Sequence, residues 1–84
     1  MPTVRQIPGP YRIFFYSFDC VEPAHVHVQR EHMVCKFWLD PLMLSQNHGF
    51  SSRELRRIHQ LLDNYFDQIL EAWDEHCGEN IAED

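Results

Sequence analysis

The chain has 84 residues and a formal charge of −6 with histidine neutral, from 13 acidic and 7 basic side chains. That field repels phosphate backbones and disfavours a nucleic-acid role unless the basic residues are strongly segregated. With 44% hydrophobic residues, including six Phe, three Tyr and two Trp, the chain can build a core and is no disordered segment. It reads as one small domain over residues 1–84. A chain of this length buries only roughly 60% of its unfolded surface, which makes self-association or a constant protein partner a sensible expectation. No signal-peptide pattern and no apolar run near 18 residues is present, so no membrane role is expected. Cys20, Cys35 and Cys77 form no C-x-x-C pair, and they read as reduced thiols of a cytoplasmic protein.

In chain order, residues 1–10 hold three prolines and Gly9 and are expected to be irregular, or an edge strand before Pro8. Tyr11 to Phe18 is aromatic-rich and reads as the first strand, and Asp19 to Ala24 as a loop. His25 to Arg30 and Met33 to Leu39 are the second and third strands, joined tightly at Glu31-His32. The predicted unit is an antiparallel meander of three or four strands over residues 11–40. Asp40-Pro41 is expected to end it, with a helical turn over Leu42 to Gln46 and a break at Asn47-His48-Gly49.

One long helix is predicted over residues 51–77. Ser51 is a good N-cap, Glu54 completes a capping box, and Phe50 and Leu55 stand where a hydrophobic staple requires them. Leu55, Ile58, Leu62, Tyr65, Ile69, Ala72 and His76 recur at helical spacing, and Gly78 is a natural terminator. The acidic residues of 78–84 read as a frayed tail. The fold class is therefore α+β, a small antiparallel sheet packed on one C-terminal helix. The stripe looks wider than one small sheet can cover. Either a partner or second copy takes the remainder, with Trp38, Tyr65, Ile69 and Trp73 as candidate interface residues, or the N-terminal segment folds over it.

Glu22-Pro23-Ala24-His25-Val26-His27-Val28 carries the chemistry. Alternation along a strand puts His25 and His27 on one face and Val26 and Val28 on the other. An exposed pair of imidazoles, with Arg12 or Lys36 on neighbouring strands, could move protons in metal-free phosphodiester cleavage. One imidazole would deprotonate a ribose hydroxyl and the other would protonate the leaving oxygen. A metal would need further ligands, with Asp19, Cys20, Glu22, His32 and Asp40 as candidates, none at a diagnostic spacing. No cofactor and no metal is expected, and any metal would start from His25 and His27. Burial of Cys35 would make its thiol inert.

Taken together, Glu22-Pro23-Ala24-His25-Val26-His27-Val28, Lys36-Phe37-Trp38-Leu39-Asp40-Pro41, Gly49-Phe50-Ser51-Ser52-Arg53-Glu54-Leu55-Arg56 and Ala72-Trp73 resemble the bacterial domain-of-unknown-function 4160 family from about Tyr11 to His76. The family's usual Pro-Pro-His is Pro23-Ala24-His25 here. The resemblance implies a small α+β protein often encoded beside a partner of the domain-of-unknown-function 2442 family, in gene pairs suspected to be toxin–antitoxin modules. Two functions follow as expectations. One is a protein-interaction module, in particular the toxin-like member of such a pair. The other is a small hydrolase or RNase using His25 and His27.

Overall fold

The computed structural model describes residues 3–78. Four antiparallel strands in the order β1-β2-β3-β4 form its sheet: β1 is Arg12–Phe14, β2 His25–Arg30, β3 Met33–Leu39 and β4 Leu42–His48. The first expected strand is thus cut to three residues, because Phe15 and Tyr16 leave the ladder. Thr3 bridges to Phe14 and the Val4 N–H donates to the Ile13 carbonyl at 2.7 Å, so the N-terminal segment lies along the β1 edge.

Two hairpins set the register. β2 and β3 pair from His25 opposite Trp38 to Arg30 opposite Met33, leaving Glu31 and His32 as a two-residue turn. β3 and β4 pair from Leu39 opposite Leu42, with a register shift beside Lys36 and Phe37. Asp40-Pro41 is therefore the turn of a second hairpin and does not end the sheet. The expected helical turn over Leu42 to Gln46 is corrected to a strand. At a turn position proline's missing N–H interrupts no ladder bond, so the strand resumes immediately. Beyond β4, Gly49 has φ 106°, and a Cβ there would sit 2.9 Å from Met33 Cγ, so both backbone and space demand glycine.

The expected single helix is corrected to two. α1 spans Ser52–Asn64 and α2 Phe66–Trp73, with Tyr65 at φ −113°, ψ 23° between them and a wider turn over Asp74–Gly78 after them. A straight helix over this stretch would run about 40 Å, whereas a seven-residue strand covers only about 23 Å. The interruption at Tyr65 is confined to that residue's backbone, since the Ile69 N–H still donates to the Tyr65 carbonyl at 3.0 Å, and the stripe ends at Trp73, whose ring meets that of Phe15 edge-on at 5.4 Å. The Ser51 cap is present, its Oγ accepting from the Glu54 N–H at 3.2 Å. The reciprocal half of the capping box is replaced by bonds from Glu54 to Arg30 and Tyr11.

One sheet face carries Ile13, Val26, Val28, Cys35, Phe37 and Leu39 into the core, opposite Ile58, Leu62, Ile69 and Trp73. Val4 and Ile7 close over the same core, so of the two expected covers for the stripe, a partner or the N-terminal segment, the segment takes at least part. Ile69 and Trp73 are buried by this chain's own residues and are not surface anchors. Cys20 and Cys77 are joined in a disulfide, correcting the expectation of three free thiols. The thiol count therefore carries no argument for a reducing compartment. The acidic tail expected over 78–84 lies, apart from Gly78, outside the described residues.

Candidate functional site

The alternation on β2 holds: Val26 and Val28 are wholly buried in the core, and His25 and His27 occupy the other face. That face is not open. After β1 the chain folds back across it, and the short 3₁₀ turn Asp19–Val21 delivers Asp19 to both imidazoles. Asp19 is held by its own loop, since Oδ2 accepts the Tyr16 backbone N–H at 2.7 Å. His27 Nε2 stands 3.0 Å from Oδ2, and His25 Nε2 stands 3.2 Å from Oδ1. Phe14 stacks on His27 at 5.4 Å and Tyr16 meets it edge-on at 4.8 Å.

His25 is 0% exposed, correcting the expectation of a solvent-facing pair. Trp38, opposite it on β3, and Trp73, from the end of α2, pack around its ring at 5.7 and 5.3 Å. Its Nδ1 donates to the Pro23 carbonyl at 2.8 Å. Its Nε2 is buried and, although within ion-pair distance of Asp19, lacks a hydrogen-bond partner in good alignment among the described residues.

Burial alone would raise the Asp19 carboxyl. The Tyr16 N–H and the two imidazoles outweigh that and hold it below the ordinary carboxylate value. Burial lowers His27 below its ordinary value, and the Asp19 charge only partly offsets this. The outer rim is polar. Lys36, opposite His27, bonds Glu22 at 2.7 Å and lies over the Trp38 ring at 4.5 Å. That bond to Lys36 is the main reason the Glu22 carboxyl is lowered.

Of the expected site residues, the structure brings together His25, His27, Lys36 and Trp38. Arg12 shares their face, but its guanidinium covers Phe14 at 4.6 Å. Tyr65 lies at the helix junction and Ile69 within α2, and His32 and Asp40 lie in the two hairpin turns. Among the five residues that could have completed a ligand set, only Asp19 faces both imidazoles. Cys20 is taken by its disulfide.

Both Nε2 atoms point at one carboxylate. They do not straddle a space that a scissile phosphodiester could enter, so the geometry does not favour the two-imidazole nuclease. A different surface stands out. Met43 is 52% and Leu44 39% exposed, both on β4. Met43 belongs to a groove of about 370 Å³ with Pro23, Trp38 and Pro41. On the other side it joins Leu44, Leu55, Arg56 and His59 around a shallow apolar depression.

A family model described as Domain of unknown function (DUF4160) matches residues 11–74. The chain belongs to that family. The match takes in β1 through α2, and with them Asp19, His25 and His27. No curated protein and no solved structure is matched by the chain.

Proposed function

We propose that this DUF4160 protein is a protein-interaction module, and that it docks a partner's extended strand along the free edge of β4. The observation that carries the reading is the composition of that edge. Natural sheet edges are blunted by charge, proline, shortness or cover. β4 runs seven residues as Leu-Met-Leu-Ser-Gln-Asn-His, with no Asp, Glu, Lys, Arg or Pro. Among the described residues nothing pairs with its outer side. The bulge beside Leu44 and Gln46 bends the strand, but its apolar half, Leu42 to Leu44, precedes the bend.

Charge selects the kind of partner. The chain is acidic overall, yet Arg56 and His59 on α1 flank this edge without a carboxylate partner among the described residues. A second copy would set basic flank against basic flank, whereas a strand with an acidic flank is complementary. The family resemblance suggests a definite candidate, the product of the adjacent gene, with this chain as the toxin-like member.

The test is co-purification with that product. The parent should form a stable complex, Met43→Lys should abolish it, and Arg56→Glu should weaken it about tenfold, each with an unchanged circular dichroism spectrum. Absence of a complex, or one indifferent to both substitutions, contradicts the reading.

A further inference from the structure

We infer that Asp19, His25 and His27 form a binding site for one divalent transition-metal ion of the zinc type, separate from the β4 edge. Their ligand atoms all lie within 4.8 Å of one another. Around a tetrahedral ion with bonds of ~2.0–2.2 Å, neighbouring ligand atoms stand about 3.3 Å apart. The observed separations, 3.2 Å from Oδ1 to His25 Nε2 and 3.0 Å from Oδ2 to His27 Nε2, are close to that value, although they fall on the two oxygens of one carboxylate, so a single ion would draw on both or turn the carboxylate slightly.

His25 supplies the independent observation. A backbone carbonyl can only accept, so the bond to Pro23 places a proton on Nδ1, and in the neutral ring, the form that binds a metal, this leaves Nε2 with its lone pair. That lone pair belongs to a fully buried atom without a hydrogen-bond partner among the described residues, beside a carboxylate oxygen. Buried polar atoms are satisfied in folded proteins because desolvation without a partner is costly. A cation held between Nε2 and Oδ1 satisfies the nitrogen and removes its opposition to the carboxylate.

The surroundings match what ligands need. The Pro23 carbonyl orients His25 and the Tyr16 N–H orients Asp19, which is how outer partners fix ligand geometry. Two ligands stand on a rigid strand. The third stands on a turn tied through neighbouring Cys20 to the end of the helical segment. Two imidazoles and one carboxylate suit zinc, cobalt or ferrous iron over magnesium or calcium, and three protein ligands leave one position for water or a small ligand. The competing donor set, Cys20, His76 and Cys77, has both sulfurs engaged in the disulfide.

The full chain, stripped with chelator and kept free of reductant, is titrated with Zn²⁺ by calorimetry. One ion per chain is expected, with affinity at least about tenfold weaker in His27→Ala and His27→Gln. A His48→Ala/His59→Ala control should bind like the parent. Because His27 variants could fail to fold, NMR of the parent serves as a second reading. Zn²⁺ should shift the ring resonances of His25 and His27 and leave those of His48 and His59 in place. Substituted Co²⁺ should show visible bands without thiolate charge transfer. Absence of saturable binding, undiminished binding in folded His27 variants, ring shifts confined to other histidines, or a thiolate band would overturn the assignment.

Discussion

Arg30 and Glu54 form a two-pronged ion pair between the end of β2 and the first turn of α1, with Nη2 to Oε1 at 2.7 Å and Nε on Oε2. The Tyr11 hydroxyl donates to the same Oε2 at 2.9 Å, so one carboxylate ties sheet, helix and N-terminal segment together. The bond to Arg30 is the main reason the Glu54 carboxyl sits below its ordinary value. A carboxyl lowered in the fold contributes stability that is complete above the ordinary 4.5 and lost as pH falls through the folded value. Thermal melts of the parent should therefore lose stability on that acid limb. Glu54→Gln should start less stable at pH 7 and show a shallower acid limb. An identical acid limb in the two proteins would remove this pair from the account.

The thiols give a second expectation. Burial pushes the Cys35 thiol up to about 12, so it should resist alkylation while the chain is folded. Mass spectrometry after alkylation should find no label on the native protein, one on the protein unfolded without reductant, and three after reduction. The Cys20–Cys77 link closes a separation of 57 residues. Replacing both cysteines by Ser should cost roughly 2–4 kcal/mol in urea unfolding. Two labels or more on the native chain would contradict the pairing.

A third concerns the helix stripe. Ile69 is fully buried within the chain, so Ile69→Ala should cost about 2–5 kcal/mol, and Ile69→Asp should unfold the protein. A folded Ile69→Asp variant that differed only in assembly would return this face to the role of interface.

Much of the fold is legible in local pattern. Alternation through His25-Val26-His27-Val28 places two imidazoles on one side, and Ser51 with Phe50 marks the helix start to within a residue. Three features escape because their causes are non-local. The break at Tyr65 falls inside an unbroken apolar periodicity, with no glycine or proline to mark it. Leu42 to His48 lacks strand-forming β-branched residues, and its pairing with β3 through Asp40-Pro41 makes it a strand. Asp19 is one of five candidate ligands in the sequence, with nothing local to single it out. Its place under both histidines depends on the fold-back after Phe14 and on the link to Cys77, and neither shows in spacing. The same fold-back is why a pair that alternation alone would leave exposed is buried.

Strand addition at β4 is tested most directly by hydrogen–deuterium exchange of the complex with the adjacent gene's product, compared with the free chain. The account predicts new protection concentrated in Leu42–His48, with α1 and α2 nearly unchanged apart from the flank at Arg56 to His59. Protection appearing instead over Tyr65 to Trp73, or no change along β4 in a complex that does form, would contradict it.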